Sequence, residues 1–253
     1  MRDRMSLLHY VLTADPWLAG YLGGEAYRLA SPADGLPGDR HPLHTCQARP
    51  VPVFIYAKIP TTWITAIEAC ETEGFRLVDT NLTLEKTVEV GALPARSPIG
   101  IRPARPDDRA AVVELARHGF EYSRFHLDPH IPRPTADAVK AGWVDSFFAG
   151  KRGEAMLVAV AGNQPVGFLQ LLYPDAETIV IDLIAVAPTY RGQGVAGAMI
   201  GVAQKAPGRT RVKVGTQAAN ISSLRLYEKL GFRLIDSSYV LHFHNALRRQ
   251  IQS

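Results

Sequence analysis

The feature that most constrains this chain is a strand that runs directly into a Gly-rich turn and an apolar helix. Residues 184–196 read Ile-Ala-Val-Ala-Pro-Thr-Tyr-Arg-Gly-Gln-Gly-Val-Ala. The β-branched run stops at Pro188, and apolar residues recur at helical spacing after Gly194. Such a turn calls for a layered α/β fold, in which helices cover a sheet. Glycines at 192 and 194 leave the backbone bare where a ligand approaches. The first amides of the helix have no partner within it, so they offer a phosphate site to which Arg191 adds charge. The spacing is neither GxGxxG nor GxxxxGK[ST], so the dinucleotide and Walker readings lack their fingerprints. A tight strand-to-helix turn that merely needs glycine is the alternative reading.

Composition narrows the field little further. The 253 residues are 47% hydrophobic and 21% charged, enough apolar side chain for a sizeable core. Net charge is +4, too mild to argue for nucleic acid. It is unevenly spread, however. Residues 1–98 carry 9 basic and 11 acidic side chains, and residues 99–253 carry 19 and 13. The C-terminal excess suits a phosphate-bearing ligand. Cys46 and Cys70 lack metal-ligand spacing, so no metal is expected and a reducing, cytoplasmic setting is the default. No run has the roughly 18 apolar residues of a membrane span, and the N-terminus lacks a secretory pattern.

The turn-rich stretch Gly91–Pro98 is the expected boundary between an N-terminal α/β domain, 1–98, and a larger one, 99–253. Before it, the patterns predict a strand at Val53–Ala57, a helix at Trp63–Glu73 and a strand at Phe75–Lys86 with a bend near Asp79–Asn81. Ser31–Pro52 reads as an irregular connection. After it come a strand at Ile99–Arg102 and a helix at Ala110–Arg117. A non-helical Glu121–Pro134 precedes a helix at Thr135–Phe148 with Thr135 as N-cap. Strands at Met156–Ala161, Val166–Leu172 and Thr178–Val186 follow, the first two joined by a four-residue loop. A helix at Gly194–Lys205, a strand at Arg211–Val214, a helix at Ile221–Leu230 and an extended Phe232–Phe243 complete the pattern.

A second motif lies 24 residues beyond Ala196: Asn220-Ile-Ser-Ser-Leu-Arg-Leu-Tyr-Glu-Lys-Leu-Gly-Phe232. Asn220 and Tyr227 are two helical turns apart and share a face. Taken alone, Asn220 also reads as an N-cap and Tyr227 as a core aromatic.

Together the two motifs resemble the GCN5-related N-acetyltransferase (GNAT) family over residues 99–253. Arg191-Gly192-Gln193-Gly194-Val195-Ala196 is similar to its Arg/Gln-x-x-Gly-x-Gly/Ala loop. The later run resembles its Asn-x-x-Ala-x-x-x-Tyr-x-x-x-Gly-Phe signature, with Ser223 at the small position. The resemblance implies a mixed-sheet GNAT fold with a smaller extra N-terminal domain, and acetyl-CoA as acyl donor. It also implies direct attack by a primary amine of a small molecule. The loop would hold the pyrophosphate, and Ile184, Ala185 and Val186 would flank the pantetheine arm. Asn220 would bond that arm, and Tyr227 would protonate the departing thiolate. Some relatives that act on protein N-termini carry a Glu where Gly215 stands, a departure that weakens a peptide-acetylating reading; the amine would lose its proton to Asp182, a water chain or another residue, with a solvated or salt-bridged carboxylate as the other reading of Asp182.

The run Ser123-Arg124-Phe125-His126-Leu127-Asp128-Pro129 is similar to sugar-nucleotide N-acetyltransferases of the dTDP-fucosamine type. By that resemblance Arg124 and His126 would bind diphosphate or sugar hydroxyls, and Asp128 the ammonium. A plain structural loop is the alternative. Other amines (amino acid, polyamine, aminoglycoside, protein N-terminus) and a non-catalytic CoA-binding role remain open, as does a homodimer. Finally, Gly74-Phe-Arg-Leu-Val-Asp79 parallels Gly231-Phe-Arg-Leu-Ile-Asp236 at an offset of 157. That suggests that residues 1–98 are a degenerate half-copy of the transferase, without a phosphate loop.

Overall fold

The computed structural model describes residues 11–30, 45–46, 48–88 and 99–245. Its elements run β1 (Val11–Ala14), α1 (Pro16–Leu22), β2 (Glu25–Ala30), β3 (Val53–Pro60), α2 (Ile64–Thr72), β4 (Arg76–Thr87) and β5 (Gly100–Pro103). They continue with α3 (Arg109–His118), α4 (Arg133–Phe148), β6 (Ala155–Ala161), β7 (Gln164–Leu172) and β8 (Thr178–Val186). The chain closes with α5 (Val195–Ala203), β9 (Arg211–Gln217), α6 (Ile221–Lys229) and β10 (Arg233–His244). The expected boundary at 91–98 lies outside the described residues, as does most of the Ser31–Pro52 connection. None of the described helices is long and apolar enough to cross a membrane.

The ten strands among the described residues join one mixed sheet, in the order β1-β2-β3-β10-β4-β9-β8-β7-β6-β5. β4 thus lies between β9 and β10, and β10 between β3 and β4. The Asn81–Gln217 pair of β4 and β9 matches the Ser238–Pro60 pair of β10 and β3, each residue displaced by 157. The irregularities repeat too, since the β4–β10 ladder skips Val78 on one strand and Ile235 on the other. Parallel pairing of β2 with β3 ends at Ala57, and that of β8 with β9 ends at Val214, again 157 apart. The centre of the sheet therefore has an approximate twofold relation.

One face of β7–β9 packs on α5 and α6 through Leu169, Leu171, Ile181, Val195, Met199, Ile200, Val214 and Tyr227. The other face, with Phe168, Leu183 and Ala185, packs on α3 and α4. On the N-terminal side Ile55, Ala57 and Phe243 meet α2, while Phe54 lies against Phe125, Ile131 and Val139 of the loop after α3 and of α4. One face of the sheet, from β8 across to β3, is therefore roofed by α4 and that loop.

Some local expectations shift. β1, α1 and β2 have no counterpart in the sequence reading, because Val11–Ala30 alternates too briefly to declare itself. α4 begins at Arg133 with Pro132 as N-cap, so Thr135 is inside the helix. A fixed proline φ suits the first helical turn, where an N–H has no acceptor anyway. The β6–β7 connection is only Gly162-Asn163, with Gly162 at φ 59°. The expected bend at Asp79–Asn81 is instead a bulge within one continuous strand.

Candidate functional site

β8 and β9 pair only from Thr178–Arg211 to Ile181–Val214. Beyond that, β8 stays with β7 to Val186, and β9 stays with β4 to Gln217. The strands thus open into a wedge that leaves backbone groups of Ile184, Ala185 and Val186 facing Gly215–Gln217 across a gap. The cause is a bulge: Gln170 pairs with Leu183 and Leu171 with Ile181, so Asp182 is the extra residue.

The wedge leads to the Gly-rich turn. Gly192 and Gly194 have φ of 75° and 78°, and a Cβ built on either meets nothing within 4 Å. Glycine is required here for its backbone conformation, a left-handed one costly for residues with a side chain. The first bond of α5 runs from the Ala198 N–H to the Gly194 carbonyl. The N–H groups of Val195 and Ala196 therefore stay open toward the turn. Arg191 Nε donates to the Val186 carbonyl at 3.1 Å and Gln193 Nε2 to that of Thr189 at 2.9 Å, bracing the turn on its strand. Replacing Gly194 with Val is expected to raise the acetyl-CoA KM about tenfold with little change in kcat, read from steady-state thiol release.

At α6, Asn220 Oδ1 accepts from Ser223 N–H at 3.2 Å and from Ser222 Oγ at 3.0 Å, so it is the N-cap. Its amide nitrogen stays available to a ligand. Tyr227 is 2% exposed, stacks near Phe232 and belongs to the same cluster as Ile181 and Val214, the last pair before the wedge. Its hydroxyl makes no hydrogen bond among the described residues, and burial pushes its pKa up.

On the roofed face, Asp182 is held by Arg152 at 2.6 and 2.7 Å and by Gln170 Nε2 at 3.0 Å. Both its oxygens are engaged, which is the salt-bridged reading. The free carboxylate is Asp79 of β4. It is 6% exposed, and its Oδ2 has no partner among the described residues. Burial pushes its pKa up to about 6, against the opposing pull of Thr80 N–H, Gln217, Lys58 and Arg124. Sequence reasoning missed Asp79 as a site residue. The signal for it was the Gly74–Asp79 parallel, which marked the strand but not its destination.

Other buried polar atoms on this face also lack partners among the described residues: Asn81 Oδ1, Gln170 Oε1, Trp143 Nε1 and His242 Nε2. Lys140 of α4 lies 4.5 Å from the Trp143 ring and 4.8 Å from that of Phe120. Burial, then Arg124, lower its pKa to about 7, with Asp182 opposing. Arg124 stacks on Tyr56 of β3, at 3.9 Å from the ring centre.

The other two loop residues serve the loop itself. His126 is bonded to Ser123 Oγ at 2.6 Å and to Asp137 at 2.9 Å, with its side chain 1% exposed. One oxygen of Asp128 meets His242 Nδ1 at 2.7 Å and His244 Nε2 at 2.8 Å, and the other accepts from His130 N–H. Burial opposes ionisation of Asp128, but these bonds outweigh it and hold the carboxyl well below the usual range. Asp128, expected at the acceptor ammonium, is thus buried as a clamp between the loop and β10. Its ligand atoms and those of the two histidines lie within 4.8 Å of one another, a set that could hold a metal ion; the N–H···O bonds already satisfy it. Asp128→Ala should destabilise the fold by about 3 kcal/mol. A folded pKa below the unfolded one makes the Asp128 contribution present above the unfolded pKa and lost as pH falls through the folded one. Urea melts at pH 7 and pH 3 read both effects.

Residues 111–232 match the model of the acetyltransferase (GNAT) family. The chain is 35% identical to the spore coat polysaccharide biosynthesis protein SpsD of Bacillus subtilis over 143 residues, 55% of this chain and 49% of that protein. It therefore spans about half the length of that relative. It is 26% identical to the dTDP-fucosamine acetyltransferase of Escherichia coli, over 74% of this chain and 80% of the other. A tandem GNAT protein from the clavulanic acid biosynthesis pathway shares the fold at 13% identity, with TM-score 0.54, over 87% of this chain and 75% of its own.

Proposed function

We propose that this protein, whose residues 111–232 match the model of the acetyltransferase (GNAT) family, transfers the acetyl group of acetyl-CoA to a primary amine on a nucleotide-linked amino-deoxy sugar. The observation that carries this reading is one surface. An open β8–β9 wedge borders a face on which several buried polar atoms lack partners among the described residues. Three oxygens (of Asp79, Asn81 and Gln170) and one imidazole nitrogen await donors, which a ligand rich in hydroxyl and amino groups supplies. The dTDP-fucosamine acetyltransferase among the relatives is named for such an acceptor.

The open amides of α5, with Arg191 alongside, suit the pyrophosphate. The free edge of β8 after the bulge suits the pantetheine amides, and its N–H groups can polarise the thioester carbonyl. Asn220 Nδ2 adds one donor to the same arm. Acetyl-CoA brings the activated acyl carbon and the thiolate leaving group. Asp79 takes a proton from the acceptor ammonium, directly or through a water, and so frees the lone pair for attack. As the C–N bond forms and the C–S bond breaks, the nitrogen gives its second proton to solvent water, Tyr227 gives one to the departing sulfur, and the tyrosinate regains a proton from water. A phenol whose pKa is raised stays protonated at neutral pH, ready for that donation. Asp182 fits a positioning role, keeping the bulge and its amides fixed through Arg152.

We read residues 1–98 as a half-copy that completes the sheet. The 157-residue register of β3, β4, β9 and β10 supports this. The test of the whole reading is thiol release from acetyl-CoA against a panel of dTDP-linked amino sugars, free amino sugars, amino acids, polyamines, aminoglycosides and peptide N-termini. Selective turnover of amino sugars is expected. Turnover restricted to another amine, or none at all, overturns it.

A further inference from the structure

The face that holds Asp79 continues across two more strands, and its charge changes along the way. Asp79 pairs with Val240 of β10, and Val240 pairs with Lys58 of β3. Lys58 and Asp79 therefore share a face two strands apart, about 10 Å from backbone to backbone. Two residues before Lys58 stands Tyr56, which carries Arg124 on its ring and has Arg28 of β2 beside it in register.

Neither Lys58 nor Arg124 has a carboxylate within ion-pair distance among the described residues. The nearby Asp15 is occupied, since its oxygens accept from Leu18 N–H at 3.0 Å and from the Tyr56 hydroxyl at 3.1 Å. Partial desolvation lowers the Lys58 pKa, Asp236 and then Asp79 oppose that, and Arg28 and Arg124 lower it further. Lys58 and Arg124, close enough to repel each other and with no carboxylate in ion-pair distance among the described residues, make an anion subsite.

We propose that Lys58, together with Arg124, binds the phosphate groups of the acceptor, so that the N-terminal part of the chain selects nucleotide-linked over free amino sugars. This rests on the amino-sugar reading above and adds the residues that recognise the phosphates. Lys58 is exposed on its strand, so its substitution leaves the core intact.

The test uses the full chain with saturating acetyl-CoA and two acceptors: a dTDP-linked amino-deoxy sugar and the methyl glycoside of the same sugar. At about pH 8.5, where Asp79 stays ionised with or without the Lys58 charge, Lys58→Glu should raise the KM of the first about tenfold, with kcat within twofold, and leave the methyl glycoside KM within twofold. Lys58→Gln should fall between. Unchanged KM values, or an equal rise for both acceptors, overturn the subsite while leaving the amino-sugar reading in place. Calorimetric binding of free thymidine diphosphate provides a second readout. Wild type should bind it and Lys58→Glu should bind about tenfold more weakly; no binding to wild type overturns the proposal. Lys58-dependent binding without acetylation of either sugar supports the subsite and overturns the amino-sugar reading.

Discussion

Asp79→Asn is expected to lower kcat about 100-fold while leaving the acetyl-CoA KM within twofold. The carboxylate takes a proton only when ionised, and its pKa is pushed up to about 6. Wild-type kcat/KM should therefore fall as pH drops through about 6, and the residual activity of the Asn variant should lack that limb. Stability should move the other way. A carboxyl whose folded pKa exceeds its unfolded 3.8 holds its proton in the native state longer than in the unfolded chain. Wild type thus loses stability as pH rises from about 4 to 6, by roughly 2–3 kcal/mol. Asn carries no charge to desolvate, so its thermal midpoint at pH 7 should equal or exceed that of wild type. Loss of activity together with loss of stability would mark Asp79 as structural. Full activity in the Asn variant would remove it from the reaction.

Tyr227→Phe is expected to lower kcat by 100-fold or more, again with little change in acetyl-CoA affinity. The ring stays packed against Phe232 and only the hydroxyl is lost. That hydroxyl has no partner among the described residues, so the variant should melt within about 1 kcal/mol of wild type. If thiol protonation limits the wild-type rate, a poorer leaving thiol should deepen the defect, as acetyl transfer from a series of acyl thioesters would show. Unchanged turnover would leave Tyr227 as a core aromatic.

The Gly-rich turn and the second motif were largely legible in the sequence. Gly192 and Gly194, the strand before them and the Asn220–Tyr227 spacing are local patterns, and local backbone geometry follows from them. The opposite side was not. Asp182 offered a plausible base by position, yet Arg152, 30 residues away, claims both its oxygens. Asp128 and His126 carried the right chemistry for a substrate loop, but both turn inward. Asp128 does so because His242 and His244, more than 110 residues later, need a shared acceptor.

The division first drawn at Gly91–Pro98 shows the same limit. Periodicity separated two α/β stretches, but it carried no information on strand order. The strands on either side of that stretch belong to one sheet, and β4 of the first stretch fills the space between β9 and β10 of the second. By itself the sequence determined the Gly-rich turn, the helix that presents Asn220 and Tyr227, and the elements around them, because each depends on residues within a few turns of chain. Only the tertiary structure decided which carboxylate is left free, because strand pairing and ion pairs join residues far apart in the chain. That pairing brought Asp79, with one oxygen unpaired, onto the face beside the wedge, and tied Asp182 and Asp128 to partners of their own.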